Sequence, residues 1–193
     1  MGTIQKLTMQ KPPVIAISGV KNSGKTTLLE KILPILNAKG LNVAVIKHDG
    51  HTFDADVEGT DSYRMRKAGA YGTAVFCDTH FMVIKSEPTT SEALLSCFSD
   101  ADLILCEGLK NSRYPKIEVV RKGNSNAPVC DPQTLLAVAT DQPLDLSVPT
   151  VDLNNPQKIA ELIEQYLQDQ TTNYPKIYKL LGNIDEKEGS HTA

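Results

Sequence analysis

One stretch constrains the fold of this chain more than any other, namely Gly19-Val20-Lys21-Asn22-Ser23-Gly24-Lys25-Thr26. An apolar run over residues 14–18 precedes it, and apolar residues at helical spacing follow it. The spacing G-x-x-x-x-G-K-T is typical of a phosphate-binding loop, because its glycines let successive backbone N–H groups point at phosphate oxygens. A strand, this loop and a helix in that order predict the start of a P-loop α/β fold.

The loop also carries side chains suited to a nucleoside triphosphate. Lys25 adds a mobile positive charge for the β- and γ-phosphates, and Thr26 offers a hydroxyl to Mg²⁺. The N-terminus of the following helix adds its dipole. The alternative interpretation is an ordinary turn with an incidental lysine. The predicted nucleotide-binding residues of this stretch are Gly19, Lys21, Asn22, Ser23, Gly24, Lys25, Thr26 and Thr27.

Length and charge limit what the rest of the chain can be. The 193 residues suffice for one well-packed domain and are too few for two of ordinary size. We expect a polar lead-in over 1–12, a nucleotide-binding domain over 13–169, and a polar tail over 170–193 that is partly disordered. The net charge of −3 argues against general nucleic-acid binding. No apolar run approaches the roughly 18 residues of a membrane-spanning helix.

The cysteines give an expectation about the compartment. Cys77, Cys97, Cys106 and Cys130 contain no C-x-x-C pair and lie mostly in apolar runs. They are therefore predicted to be buried, reduced thiols of a cytoplasmic protein.

The segments after the loop predict a parallel sheet. A helix over roughly 24–39 is closed by Gly40, and Pro34 inside it predicts a kink or an early end. A strand over 42–47 follows, and a strand–helix–strand unit of this length implies a right-handed crossover between parallel strands.

The next segment, 48–62, is polar, acidic and without period. It is predicted to be a nucleotide-responsive loop in which Asp56 serves Mg²⁺ or an attacking water. A transition-metal site using His48 and His51 is the alternative. Thr60 or Asp61 then caps a short helix.

Two apolar runs, 72–77 and 81–85, are separated by a short polar turn and predict a β-hairpin. An antiparallel hairpin inserted in a mostly parallel sheet leaves an exposed edge. Such an edge favours pairing with a second copy of the chain, so we expect a homodimer.

A buried central strand is predicted over 101–106, where consecutive large aliphatic residues end at Glu107-Gly108. Its carboxyl end faces the phosphate loop, so Glu107 is predicted to be the carboxylate on the Mg²⁺ side. The alternative is a solvent-exposed glutamate at a strand end.

Three cations follow this strand, at Lys110, Arg113 and Lys116. They are either a solvated loop face or a second anion site for an anionic metabolite or an acidic partner surface. A further buried strand ends at Thr140-Asp141, where an aspartate can accept hydrogen bonds from guanine that adenine cannot donate.

Together these motifs resemble the MobB family of molybdopterin guanine dinucleotide biosynthesis. The resemblance extends over roughly 13–168 and rests on the phosphate loop, V-I-K-H-D-G-H, G-T-D-S-Y, L-I-L-C-E-G-L-K, P-K-I-E-V and A-V-A-T-D. It implies a GTP- and Mg²⁺-binding adaptor with weak GTPase activity that assists a partner guanylyltransferase acting on molybdopterin. Carried over by position, Lys25, Thr26, Glu107-Gly108 and Thr140-Asp141 match the site, and Lys110, Arg113 and Lys116 are candidates for molybdopterin.

Two departures from the family pattern and one rival hypothesis remain, and the first departure is the tail beyond 170, which has no family counterpart. His51 is followed by Thr52, where family members often carry a second histidine. The rival hypothesis is a small-molecule kinase that uses the same loop, with the 110–116 cations holding the acceptor. A kinase usually needs an arginine-bearing lid, and the sequence contains no long arginine-rich insertion.

Overall fold

The computed structural model describes residues 11–50 and 53–172 and contains eight strands and four α-helices in that part of the chain. A short 3₁₀ turn, Pro132–Thr134, precedes β7. In chain order the elements are β1 (Val14–Ser18), α1 (Lys25–Ala38), β2 (Val43–Lys47), α2 (Asp61–Lys67), β3 (Gly72–Phe76), β4 (Phe81–Lys85), α3 (Ser91–Ser96), β5 (Leu103–Glu107), β6 (Lys116–Val120), β7 (Leu135–Thr140), β8 (Thr150–Asp152) and α4 (Pro156–Thr172).

Six of the strands form one parallel sheet in the order β2-β5-β1-β6-β7-β8. β1 pairs with β5 on one side, with Ile17 opposite Glu107, and with β6 on the other, with Ser18 opposite Glu118. β5 and β6 are buried along their whole length, as expected for strands covered on both faces. This order places the loop that follows β1 between the carboxyl ends of β5 and β6.

Helices cover both faces of the sheet and confirm the P-loop three-layer fold. The larger core joins the sheet to α1 and α4. On the other face Ala16, Ile46, Ile104 and Cys106 form a smaller cluster, against which Leu95 of α3 packs. α4 runs to Thr172, past the predicted domain boundary at 169, and the remainder of the predicted tail lies outside the described residues.

The helix α1 continues through Pro34 to Ala38, so the predicted early end is wrong. Pro34 is exposed. The Glu30 carbonyl that loses its helical partner therefore lies on the solvent side, where water can replace the bond. Gly40 follows with a φ of 84°, which confirms its role in ending the helix.

The predicted hairpin is confirmed and forms a two-stranded sheet of its own, β3-β4. Phe76 and Phe81 face each other across its end and are 83% and 82% exposed. The short helix α2 before it begins as predicted, with the Thr60 hydroxyl accepting from the Tyr63 N–H.

The four cysteines are free, but only Cys106 and Cys130 are buried. The prediction of burial is wrong for Cys77 and Cys97, because one follows the last residue of β3 at the hairpin turn and the other caps α3 on an exposed face. No helix in the described part of the chain is long and apolar enough to span a bilayer.

Candidate functional site

The backbone of the phosphate loop, residues 19–26, is tightly curled between β1 and α1. Gly19, Asn22 and Gly24 have φ values of 133°, 61° and 96°. A Cβ on Gly19 would lie 2.5 Å from the Val119 carbonyl oxygen, so both the conformation and the available space require glycine there. The loop therefore has the backbone form that the sequence predicts.

Lys25 folds back over this loop. Its Nζ donates to the carbonyls of Val20 at 2.7 Å and Gly19 at 3.3 Å. Partial burial lowers the pKa of Lys25, the charge of Glu107 opposes that change, and Lys47 adds to it. The ammonium group thus lies at the mouth of the curled backbone, within the field of a carboxylate.

The structure brings together the two predicted metal ligands. The Thr26 hydroxyl lies 2.9 and 3.0 Å from the two carboxylate oxygens of Glu107. Glu107 is buried, and Lys47 Nζ lies 3.7 Å from one of its oxygens. Burial beside the loop excludes the alternative of a solvent-exposed glutamate at the strand end.

A hydroxyl and a carboxylate are oxygen donors of the kind Mg²⁺ prefers. Among the described residues no group of three or more histidine, cysteine or acidic side chains converges on one point. The donor set therefore fits Mg²⁺ held in part by nucleotide phosphates and water rather than a metal held by protein alone. His51, the other half of the alternative metal site, lies outside the described residues.

Gly108 turns the chain away directly after Glu107. It has a φ of 101°, Leu109 follows at 51°, and the Ser18 hydroxyl donates to the Gly108 carbonyl at 2.6 Å. A Cβ on Gly108 would lie 3.2 Å from the His48 carbonyl oxygen. Gly108 is thus a close-packing position that holds the ends of β1, β2 and β5 together.

Thr140 and Asp141 lie at the carboxyl end of β7, beside a cavity of about 360 Å³ between the ends of β7 and β8. Asp152 and Asn154 line its other side. Asp141 Oδ1 accepts from the Lys122 backbone N–H at 2.7 Å, and the Thr140 hydroxyl bonds with the backbone of Gln142. Asp141 thus lines this cavity while one of its carboxylate oxygens is bonded to the backbone of Lys122.

Asp56 belongs to a different cluster. Its carboxylate accepts from Ser62 at 2.9 Å, from Arg66 at 3.2 Å and from Thr60 at 3.3 Å, all at the start of α2 or within it. These contacts fix the loop that enters α2, and none of them joins Asp56 to the phosphate loop. Its predicted catalytic role stays a prediction.

Lys116 corrects the hypothesis of a three-cation anion site. It is fully buried, and its Nζ donates to the carbonyls of Ser112 and Tyr114 at 2.5 and 2.8 Å and to the Thr134 hydroxyl at 3.2 Å. Burial lowers its pKa. Lys116 therefore pins the loop before β6, while Lys110 and Arg113 are exposed.

Sequence reasoning missed two side chains that contact the phosphate loop from the other side. Arg121 Nε donates to the Ser23 carbonyl at 3.0 Å, and Asn124 Nδ2 donates to the Lys21 carbonyl at 3.2 Å. Both lie in R-K-G-N-S, directly after β6. The sequence signal that could have identified them is a polar turn with a glycine at the carboxyl end of a buried strand.

Known proteins resemble this chain over most of its length. The family model described as "Molybdopterin guanine dinucleotide synthesis protein B", MobB, matches residues 14–141. The molybdopterin-guanine dinucleotide biosynthesis adapter protein of Escherichia coli K12 is 36% identical over 167 residues, which cover 82% of this chain and 95% of that protein. Its namesake in Haemophilus influenzae is 38% identical over 160 residues, covering 80% and 89%. The crystal structure of a MobB homolog from Bacillus stearothermophilus superimposes with a TM-score of 0.59 at 25% identity, covering 81% and 98%.

Proposed function

The chain belongs to the MobB family, and we propose that it is a GTP-binding adaptor in the biosynthesis of molybdopterin guanine dinucleotide. The observation that carries this proposal is the placement of Lys25, Thr26 and Glu107 around one curled loop in a chain of this family. The relatives named above are adapter proteins of that pathway. These relatives are adapter proteins and not kinases by name, which favours the adaptor over the small-molecule kinase.

In the proposed site, the loop N–H groups and Lys25 would bind the phosphates, and Thr26 and Glu107 would hold Mg²⁺. When bound, Mg²⁺ neutralises charge that develops on the phosphates. Glu107 orients the Thr26 hydroxyl through the two contacts at 2.9 and 3.0 Å between that hydroxyl and the carboxylate oxygens. Lys47, 3.7 Å from Glu107, limits the net negative charge at the metal side.

For the base, we propose that Asp141 selects guanine at the cavity between β7 and β8. Its Oδ1 is bonded to the Lys122 N–H, so its other oxygen is the acceptor offered to the base. Hydrolysis is proposed to be weak, because Asp56, the predicted carboxylate for an attacking water, is bonded to Ser62 and Arg66 of α2 instead.

The partner is proposed to be the guanylyltransferase that attaches GMP to molybdopterin, with Lys110 and Arg113 available to an anionic group of molybdopterin or of that partner. We further propose a homodimer in which the hairpins of the two copies meet and cover each other's Phe76 and Phe81. The free, exposed thiols of Cys77 and Cys97 suit a reducing cytoplasm. The folding unit is proposed to be residues 13–169 together with the end of α4.

The proposal is tested by co-purification with nucleotide analysis. A tagged chain is expected to retain a guanylyltransferase in the presence of GTP, and guanine nucleotide rather than adenine nucleotide is expected to raise its unfolding temperature. Glu107→Gln is expected to weaken the Mg²⁺ dependence of GTP binding more than that of GDP binding, because Glu107 would help hold the ion that offsets the larger negative charge of the triphosphate. Equal stabilisation by ATP and GTP, without a retained transferase, would contradict the adaptor assignment.

A further inference from the structure

The turn after β6, residues 121–125, contacts the phosphate loop on one side and the end of β7 on the other. It is called the buttress turn below. Its own form is fixed by the N–H groups of Asn124 and Ser125, both of which donate to the Arg121 carbonyl at 3.0 Å. The Arg121 and Asn124 side chains then reach the carbonyls of Ser23 and Lys21.

These two carbonyls bear directly on phosphate binding. In a planar trans peptide, the carbonyl of one residue points opposite to the N–H of the next. A donor that holds the Ser23 carbonyl therefore also fixes the direction of the Gly24 N–H. In the same way, the bond from Asn124 to Lys21 fixes the direction of the Asn22 N–H. These N–H groups belong to the backbone that receives the phosphates.

The loop needs such support because its conformation is costly. Asn22 has a φ of 61°, and backbone of this kind persists where surrounding contacts over-determine it. Glycine accepts many backbone conformations, so Gly24 itself does not prevent the Ser23–Gly24 peptide from reorienting. Arg121 lies against it, with Nη2 2.8 Å from the position of a Cβ on Gly24. A charged donor on a carbonyl is among the stronger hydrogen bonds in proteins.

The other side of the buttress turn is bonded to the end of β7. The Lys122 N–H donates to Asp141 Oδ1 at 2.7 Å, and Gln142 Nε2 donates to the Ser125 carbonyl at 2.7 Å. The same short turn thus connects the residues proposed to select the base with the carbonyls that orient the phosphate-binding N–H groups. A bond broken at Asp141 loosens the support of Arg121 and Asn124.

We propose that Arg121 and Asn124 are positioning residues that hold the phosphate loop in its anion-binding form, and that the buttress turn couples this loop to Asp141. This inference rests on the proposed nucleotide binding. It assigns to Arg121 no contact with the reacting atoms. It predicts that a residue on the base side influences the affinity for a ligand that has no base.

The test measures binding of inorganic tripolyphosphate and of GTP, each with Mg²⁺, by isothermal titration calorimetry. Arg121→Ala is expected to weaken both ligands by at least about tenfold, the loss expected for one charge-assisted hydrogen bond. Lys122→Ala is the matched control. It removes the neighbouring positive charge from an exposed side chain and keeps the backbone N–H, so both affinities are expected to stay within about twofold. Equal losses in the two variants would mean that general charge, not positioning, is responsible, and would overturn the proposal.

The coupling is tested at Asp141 with the same ligands. Asp141→Ala removes the acceptor for Lys122 N–H and is expected to weaken tripolyphosphate by about threefold, although that ligand has no base. Asp145→Ala removes an exposed carboxylate from the same segment and serves as the control, so it is expected to leave tripolyphosphate binding within about twofold. Identical tripolyphosphate affinity in both variants and the wild type would overturn the coupling.

A measurement without nucleotide separates this inference from the proposed function. ¹⁵N relaxation is expected to give the Gly24 N–H an order parameter near about 0.85 in the wild type and toward about 0.6 in Arg121→Ala. An unchanged order parameter would overturn the positioning role. A wild-type chain that binds neither ligand would instead contradict the proposed nucleotide binding, and the order parameters would still decide whether Arg121 holds the loop.

Discussion

The parallel sheet buries its apolar residues, whereas the segment 53–98, which contains the hairpin, exposes many of its own. In the sheet, β5 and β6 are buried at every position. In the hairpin, β4 has one half-buried residue and exposes the rest, Phe81 included. The strands of the sheet and those of the hairpin are both rich in apolar residues. The sheet is covered by helices of its own chain, whereas the hairpin displays a surface of the kind that serves association.

This difference indicates that the proposed nucleotide site and the proposed association surface lie in different regions of the molecule. The groups proposed to bind nucleotide, Lys25, Thr26 and Glu107, are held by the sheet and by backbone carbonyls. The segment 53–98 contributes charged clusters such as Asp56 with Arg66 and the exposed ends of its hairpin. Changes in the sheet should therefore affect folding and nucleotide binding, and changes in the segment should affect assembly.

The largest expected effect tests the buried sheet. Glu118 is buried and accepts from the N–H groups of Val129 and Cys130 at 2.7 and 2.9 Å. Glu118→Ala leaves both N–H groups without this acceptor and is expected to lower the free energy of unfolding by about 3 kcal/mol. Urea unfolding followed by circular dichroism measures it.

The matched control is a glutamate of the other region. Glu87 is exposed and pairs with Lys85 at 3.0 Å, so Glu87→Ala is expected to change the unfolding free energy by less than about 0.5 kcal/mol. Similar losses in the two variants would break the comparison between the regions.

The second effect concerns binding without folding. Lys25→Ala removes the loop ammonium and is expected to weaken GTP binding by about 2–3 kcal/mol, the value of a charge-assisted contact. Lys31→Ala, an exposed cation on α1, serves as the control and should bind normally. A titration with a fluorescent guanine nucleotide measures both. Unaltered affinity in Lys25→Ala would remove the lysine from the site.

The third effect concerns association. Replacing Phe76 and Phe81 together by serine is expected to weaken dimerisation by at least about 2 kcal/mol, because two exposed rings of each copy would lose their burial in the proposed interface. The unfolding free energy of the monomer should change little, since both rings are already exposed. Sedimentation velocity over a concentration series measures the dimer. A dimer of unchanged strength would show that the hairpin does not form the interface.

The smallest expected effect concerns recognition of the base. It separates binding of the phosphates by the loop backbone from selection of the base by a side chain at the end of β7. Asp141→Asn is expected to lower the preference for GTP over ATP by about 1 kcal/mol and to favour xanthine nucleotides, whose 2-oxo group can accept from the new amide. Its Oδ1 can still accept from Lys122. Competition by GTP, ATP and XTP measures the order of preference. The same order in variant and wild type would exclude Asp141 from base selection.

Local patterns predicted the parts of the fold that depend on neighbours in the sequence. The phosphate loop, the Thr60 cap and the hairpin are each specified within a few residues, and the structure contains all three. Glu107 was also predictable, because an acid that ends an apolar strand in such a fold lies at the same sheet edge as the loop.

Contacts between distant segments were not predictable in this way. A lysine at a strand start usually lies at the surface, yet Lys116 is buried, because the nearby carbonyls of Ser112 and Tyr114 and the Thr134 hydroxyl, 18 positions away, supply acceptors. The polar turn that carries Arg121 can be recognised in the sequence, but the contact of Arg121 with Ser23 cannot, since the two residues are 98 positions apart. Nor does the hairpin sequence indicate that β3 and β4 form a sheet apart from the other six strands.

The sheet order also governs the sequence of events during synthesis. β1 pairs with β5 and β6 and with no earlier strand of the described chain, and its last residue, Ser18, bonds to Gly108, 90 positions later. The hairpin needs only residues 72–85. The two hairpin strands can pair on the ribosome before β5 and β6, the partners of β1, have been synthesised, because short loops close first. The proposed association surface therefore forms before the proposed nucleotide site can be assembled, and nascent chains that associated through it would do so with their central strand unpaired.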